Sequence, residues 1–174
     1  LRLRAQKPLK QDAWSELVSE ALIEVSTATS RWTEATGRFS VKLPPGWSVG
    51  PEGGDTYDLT LRGPYRLEFQ VAVRPAEPGG LEALREKLQA IEERLHLTTR
   101  LEADQFHSWP AWRRTMPLQK STVEALDFLV GDRAVHVLMS APPETFADFR
   151  PVLVELRDSL EVQAGQSAAG GETP

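Results

Sequence analysis

The pair of residues best suited to chemistry in this sequence is a carboxylate and an imidazole. Asp127 and His136 lie on two alternating runs that flank Gly131-Asp132, and a two-residue loop there places them directly opposite each other. A carboxylate beside an imidazole can orient a general base. No nucleophile completes the site, because Ser140 lies four residues along the same strand, roughly 13 Å away at ~3.3 Å per residue. We therefore interpret the pair as a structural cross-strand contact.

Other catalytic and metal-binding patterns are missing from the sequence. His96, His107 and His136 are the only histidines, and their spacing is not that of metal ligands. Cysteine is absent, which excludes disulfides, zinc–thiolate sites and thiol catalysis. The glycine-rich segment 50–54 lacks the Lys-Ser/Thr of a phosphate-binding loop. The sequence therefore predicts a protein that is not an enzyme and has no metal or cofactor.

Tryptophan and arginine supply the candidate binding residues. Trp109 precedes Pro110 near a predicted hairpin tip, and it either folds back over the sheet edge or stands out as an anchor for a partner. Arg113 and Arg114 follow on the adjoining strand, and Trp and Arg are enriched at interface hot spots. Trp112 also fits an amphipathic core. We assign Trp109, Trp112, Arg113 and Arg114 as candidate partner-binding residues.

A hairpin and a helix position these residues. The alternating runs Val123–Val130 and Arg133–Ser140 predict two paired strands with Phe128 opposite Val135. After Pro142-Pro143 the apolar period changes to that of a helix, with Pro151 predicted in the helix's first turn. The stripe expected to face the sheet comprises Phe146, Phe149, Leu153, Leu156 and Leu160.

Further strands and helices are predicted on both sides of this hairpin. Segments 31–34, 39–43, 57–62 and 65–74 are predicted to be strands. If the last two pair with their apolar faces matched, Leu61 lies opposite Leu67 across a loop at Gly63-Pro64-Tyr65. Strands at 101–107 and 111–118 are joined by a turn at Ser108-Trp109-Pro110. A helix is predicted between the strands 65–74 and 101–107. It ends near Leu97 and carries a narrow stripe of Leu81, Leu84, Leu88, Ile91 and Leu95.

The length of 174 residues suits one domain. We divide the chain into an N-terminal segment, 1–30, with an amphipathic helix at about Lys10 to Val25, a domain over 31–162, and a disordered tail over 163–174. The tail consists largely of Gly, Ala, Ser and Gln and offers nothing to bury.

Charge and composition narrow the possible partners and locations. A net charge of −5 argues against a surface that binds nucleic acid. No run of 18 apolar residues could cross a membrane, so we expect membrane contact only through a removed leader or lipid anchor. The start at Leu1 suggests a lost leader or a trimmed chain. The absence of asparagine fits a thermophilic source or GC-rich codon usage equally.

The order of these elements resembles the PsbP-like superfamily, which includes the PsbP, yeast Ran-release factor and DcrB groups. The resemblance rests on the segment from Phe39 to Trp47 with its Pro-Pro-Gly-Trp end, on two hairpins with a helix between them, and on a final helix behind Ser140-Ala141-Pro142-Pro143. It covers about residues 31–162. It implies an α+β fold, an α-β-α sandwich around a twisted antiparallel sheet of about six to eight strands, and it carries over no functional residue.

The resemblance and the missing chemistry together imply a non-catalytic protein-interaction or assembly module. We expect it to be bacterial, to be exported from the cytoplasm, to bind a protein partner of unknown identity and to be a monomer or weak dimer. Two alternatives stay open. One is a cytoplasmic protein similar to a secretion chaperone, and the other is a domain that binds a small ligand between its sheet and helices.

Overall fold

The computed structural model of the protein describes residues 30–50, 56–97, 99 and 101–164. The predicted N-terminal helix, most of the segment 50–54 and the tail from residue 165 lie outside the described residues. Within them the elements follow one another as strands β1 to β10 and helices α1 and α2. Their bounds are β1 Ser30–Thr33, β2 Phe39–Leu43, β3 Ser48–Val49, β4 Leu59–Arg62, β5 Glu68–Pro75, α1 Gly80–Leu95, β6 Leu101–Phe106, β7 Trp109–Pro117, β8 Thr122–Val130, β9 Arg133–Ala141, α2 Phe146–Asp158 and β10 Glu161–Val162.

An antiparallel sheet of seven strands, in the order β3-β4-β5-β9-β8-β7-β6, is the centre of the described fold. Its innermost hairpin has the predicted register, with Phe128 opposite Val135 and Val130 opposite Arg133. Gly131 adopts a positive φ of 61° in the two-residue loop, as this kind of turn requires. The predicted fold class and the predicted number of strands are confirmed.

The hairpin of β4 and β5 has a different register from the predicted one. Leu61 lies opposite Phe69 and not opposite Leu67, so the pairing is displaced by two residues while the apolar face is preserved. The cause is a 3-10 turn at Pro64–Arg66, which lengthens the loop to five residues and is closed by the Gly63 N–H donating to the Leu67 carbonyl. Matching apolar faces fixes only the parity of a register.

The turn between β6 and β7 also differs from its prediction. Phe106 pairs with Trp109, so the two turn residues are His107 and Ser108, and Trp109 begins the return strand. His107 adopts a positive φ of 52°. The turn therefore precedes the Trp-Pro dipeptide, because proline can be accommodated near the start of a strand.

A second sheet and the end of α2 were not predicted. Strands β1, β2 and β10 form a separate three-stranded sheet among the described residues. The chain leaves helical geometry at Ser159, and Glu161–Val162 pair with Phe39 and Ser40 of β2. Pro151 was predicted in the first turn of this helix, but α2 begins at Phe146, so the proline is its sixth residue and lies inside the helix.

One face of the large sheet is closely packed. Of the predicted stripe of α2, Leu153, Leu156 and Leu160 are almost fully buried on this face and Phe146 is buried, whereas Phe149 is only partly buried. The Pro-Gly-Trp segment contributes Trp47, which lies so close to Gly63 that a Cβ there would be 2.6 Å from its ring. β2 and its neighbours complete the layer through Phe39 and Val41. The main apolar core therefore lies on the α2 side of the sheet.

Helix α1 lies across the opposite face and packs more loosely. Its contacts are with β7 and β8, and of its predicted stripe Leu88 is buried whereas Leu81, Leu84 and Ile91 are half-buried. Because successive strand residues point to opposite faces, this helix covers the side of β8 that carries Asp127. The two helices therefore sandwich the sheet, and they leave different amounts of space beneath them.

Candidate functional site: a cleft between α1 and the sheet

A cleft of about 760 Å³ lies between α1 and the sheet. Pockets for small molecules usually span roughly 300–1,000 Å³ and have mostly apolar walls with a few polar groups. The walls of this cleft fit that description. Their apolar residues are Ala72, Pro75, Leu84, Leu88, Ile91, Leu129, Ala134 and Val135.

Small side chains of the sheet line the cleft on β5 and β9, beside the strands β7 and β8 that α1 contacts. Ala72 of β5 and Ala134 of β9 lie on the α1 face, since both alternate with residues of the main core. A methyl group reaches less far toward a covering helix than the leucine or valine side chains on the α2 face. The narrow leucine stripe of α1 does not fill the remaining space, which stays open to a ligand.

Asp127 is the hub of the polar cluster on the sheet side of the cleft. This residue is only 4% exposed, and its two carboxylate oxygens accept hydrogen bonds from different partners. The His136 Nδ1 lies 2.7 Å from Oδ1, and the Arg114 Nη2 donates to Oδ2 at 3.2 Å. Since an ionised carboxylate can only accept, the proton of His136 is on Nδ1. In the neutral form of this tautomer, Nε2 keeps an acceptor lone pair.

Tyr57 lies beside His136 and also lines the cleft. The two rings are stacked with their centroids 6.0 Å apart. Burial and the nearby negative charge of Asp127 raise the pKa of the Tyr57 phenol, against a smaller opposing effect of Arg114. The phenol is therefore protonated at neutral pH and can donate a hydrogen bond.

The charged residues that line the cleft have partners of opposite charge. Arg74 donates to Asp58 at 2.7 Å, and Lys87 forms an ion pair with Glu77. Arg114 forms an ion pair with Asp127 and also lies 3.9 Å from Glu92 of α1, so it links the helix to the sheet. The cleft therefore offers neutral hydrogen-bonding groups more readily than an unpaired charge.

The four predicted partner-binding residues do not form one patch. Trp109 lies on the α2 side, half-buried, with its ring stacked against Phe106 and Phe128 at centroid distances of 6.1 and 6.2 Å. Arg113 also faces that side, where it donates to Glu102 at 2.8 Å. The hydrogen bond to Glu102 outweighs the effect of burial and raises the pKa of Arg113. Their role in partner binding stays a prediction.

Trp112 and Arg114 lie on the opposite face, under α1. The Trp112 indole donates to the Leu81 carbonyl at 3.2 Å, and the Arg85 guanidinium lies 5.7 Å from the centre of its ring. Arg114 is only 7% exposed. These two residues hold the helix that covers the cleft, and their sequence alternation with Trp109 and Arg113 explains the separation.

The remaining candidates for chemistry are dispersed. His96 ends α1, His107 lies in the turn between β6 and β7, and His136 lies on β9, so the structure does not bring the histidines together. Among the described residues, no group of three or more His, Cys, Asp or Glu residues could hold a metal ion. No helix in the described ranges is long and apolar enough to cross a membrane.

Sequence reasoning predicted the Asp127–His136 contact and missed its surroundings. The paired register makes a carboxylate and an imidazole neighbours whatever covers them. Tyr57 precedes β4 and Ala72 lies on β5, so their proximity to the pair depends on the order β4-β5-β9-β8. The available signal was the small residues Ala72 and Ala134, which stand next to larger apolar residues of the same strands such as Val71 and Val135.

Comparison with known proteins identifies solved structures that share the fold of this chain. No protein-family model matches the chain, and no curated protein matches it. Among solved structures, the PsbP protein of the cyanobacterium Synechocystis (CyanoP) aligns over 80% of this chain and 95% of its own, with 11% identity and a TM-score of 0.58. LpqN of Mycobacterium tuberculosis, described as involved in cell envelope biogenesis, aligns over 84% of this chain and 96% of its own, with 9% identity and a TM-score of 0.53.

A protein of Bacteroides thetaiotaomicron is similar to this chain over only half of its own length. It aligns over 80% of this chain and 50% of the Bacteroides chain, with 14% identity and a TM-score of 0.60. Identities this low show a shared fold and transfer no site or activity. The element order, the seven-stranded antiparallel sheet and these alignments together show that the chain adopts the PsbP-like fold.

Proposed function

We propose that this protein is a non-catalytic binding module of a bacterial cell envelope, and that it holds a small, largely apolar molecule in the cleft between α1 and the sheet. The observation that carries the proposal is the cleft itself, about 760 Å³ with mostly apolar walls and one polar cluster. Of the two alternatives left open by the sequence, the geometry favours ligand binding.

The composition of the cleft supports binding without catalysis. The described residues that line it include no serine or cysteine, and their hydroxyl groups, on Thr56 and Tyr57, form no hydrogen bond with His136, whose described partner is Asp127. Asp127 is shared between His136 and a buried arginine, so the cluster reads as a fixed polar wall. A rigid wall of this kind orients a ligand.

Location outside the cytoplasm is supported by analogy of fold. LpqN carries the description of a role in cell envelope biogenesis, and the bacterial origin of the other aligned proteins agrees with a bacterial source. Fractionation of the native organism, with antibodies against this protein and against a cytoplasmic marker, tests the location. Recovery with the cytoplasmic marker alone would contradict it.

A thermal-shift screen with neutral apolar metabolites tests ligand binding. A compound at 100 times its dissociation constant should stabilise the protein by about 2.7 kcal/mol. The matched control is Ala134→Trp, which fills the cleft from the sheet side and should abolish the shift. A flat response across the panel, or shifts that survive in the filled variant, would refute the cleft as the site.

A protein partner is a second candidate, and Tyr65 is the observation that favours it. Its side chain is 70% exposed, in the 3-10 turn, and its ring is stacked on Phe149 with centroids 5.1 Å apart. Tyr65 and Arg66 both have positive φ angles, a strained conformation for residues other than glycine. Affinity capture from the native organism with wild type and Tyr65→Ala in parallel would test this candidate, since a genuine partner should be lost only from the variant.

A further inference from the structure

Resting on the proposed function, we infer that the ligand of the cleft is a neutral apolar molecule that carries a hydroxyl group, and that His136 and Tyr57 recognise that group. The inference follows from the charges and the hydrogen-bonding groups that the cleft leaves available.

Charge is the first constraint on the ligand. The ionised side chains that line the cleft are Arg74, Glu77, Lys87, Arg114 and Asp127. Each of them already has an oppositely charged partner within 4.0 Å. A charged ligand would lose hydration on entering an apolar cleft and would have to compete with one of these pairs, so the lining selects against it.

Hydrogen bonding is the second constraint. In its neutral form, with the proton on Nδ1 directed to Asp127, the His136 ring presents an acceptor at Nε2. The protonated Tyr57 phenol is a donor, and the described residues include no hydrogen-bond partner for it. A hydroxyl group both donates and accepts, so it can pair with the acceptor of one ring and with the donor of the other, and the two rings are stacked in the same cleft.

Apolar contact supplies the remaining selectivity. Leu84, Leu88 and Ile91 of α1 face the alanines of the sheet across the cleft, and this space suits an alkyl or aromatic body. The ligand class is therefore an apolar alcohol or phenol. A carboxylate or an amine with the same body should bind more weakly.

Titration with matched probes tests the inference. The probes are para-octylphenol, its methyl ether para-octylanisole and para-octylbenzoate, measured by calorimetry and by the fluorescence of the protein's tryptophans, of which Trp112 lies under α1. The ether keeps the body and an acceptor oxygen but lacks the donor. One net hydrogen bond predicts binding of the phenol about fivefold to tenfold tighter than that of the ether.

Three variants locate the effect. His136→Phe keeps a ring for stacking against Tyr57 but removes Nε2, and it should make the phenol and the ether bind alike. Tyr57→Phe should weaken the phenol by a similar factor, and it serves as the test if the first variant fails to fold. Ala134→Trp should abolish binding of both probes, and circular dichroism checks that each variant is folded.

The outcomes separate the inference from the proposal on which it rests. If wild type binds phenol and ether equally and Ala134→Trp binds neither, the cleft is a binding site but hydroxyl recognition is wrong. Tightest binding of the benzoate would also overturn the inference. If no probe binds, or if the filled variant binds as wild type does, the proposed site itself is refuted.

Discussion

The ion pair between Glu124 and Arg150 should be a charged contact that strongly stabilises the fold. Glu124 points to the α2 side of β8, and its side chain is 4% exposed. Arg150 of α2 reaches it with two hydrogen bonds, from Nε at 2.8 Å and from Nη2 at 3.0 Å. Bidentate pairs of this kind are stronger than single contacts, because both carboxylate oxygens are satisfied in one plane.

Replacing the arginine with methionine should leave a buried carboxylate without its partner. Breaking a fully buried pair costs roughly 3–5 kcal/mol. The Arg150 side chain is 38% exposed, so water can reach part of the vacated site and reduce the cost. We therefore expect Arg150→Met to lower the free energy of unfolding by about 2–3 kcal/mol, and Arg150→Lys to lose less because it keeps the charge.

Equilibrium urea denaturation, followed by tryptophan fluorescence and far-ultraviolet circular dichroism, measures this change. Arg62→Met is the matched control, because Arg62 pairs with Glu68 at 3.4 Å and neither side chain is buried, with exposures of 57% and 38%. The control should change stability by less than about 0.5 kcal/mol. Equal losses for the two variants would show that the Glu124 carboxylate is not dependent on Arg150.

Three further predictions concern the core and the second sheet. Leu156→Ala should cost ~2–5 kcal/mol because the side chain is 2% exposed, and a loss under about 0.5 kcal/mol in urea denaturation would place it at the surface. Trp109→Ala should lower the melting temperature, since its ring stacks within the aromatic cluster of Phe106 and Phe128; an unchanged melting temperature would mark it as a partner anchor instead. Glu34→Gln should destabilise the protein at pH 7 and progressively less as the pH falls from 4.5 towards 2, as measured by denaturation at several pH values.

The sign of the Glu34 effect follows from its surroundings. Burial alone would raise its pKa, but hydrogen bonds from Arg38 and Thr36 outweigh burial and lower the pKa from 4.5 to about 2. A carboxyl group with a lowered pKa stabilises the folded state above its usual pKa and loses that contribution as the pH falls through the folded value. A pH-independent difference between Glu34→Gln and wild type would contradict this account.

Local sequence determined the hairpin of β8 and β9, in which the chain turns back on itself through Gly131-Asp132. Gly131-Asp132 leaves only one register for β8 and β9, and the predicted pairs are the observed ones. Pro64 to Arg66 allowed several loop lengths with the same parity, and the prediction chose one that was two residues too short. Turn chemistry thus predicts a register only when the loop has a single geometry.

Long-range pairing was beyond local reasoning. β10 is two residues long, and it is a strand only because β2 offers it a free edge. The leucine spacing continued past Asp158 to Leu160, which is buried although it lies outside the helix. Periodicity therefore correctly predicted that the Leu160 side chain is buried, but it wrongly predicted that its backbone is helical.

The two faces of β8 show why a site can lie under α1 and not under α2. Glu124 and Asp127 are three residues apart, so they point to opposite sides of the sheet, and each is paired with an arginine. On the α2 side the pair shares its face of the sheet with the main buried cluster of leucine, valine and phenylalanine. On the α1 side the neighbours are alanines and a half-buried leucine stripe, so His136, held by the same carboxylate that Arg114 pairs with, borders open space. Filling that space with larger side chains should therefore remove binding while leaving the α2 core intact.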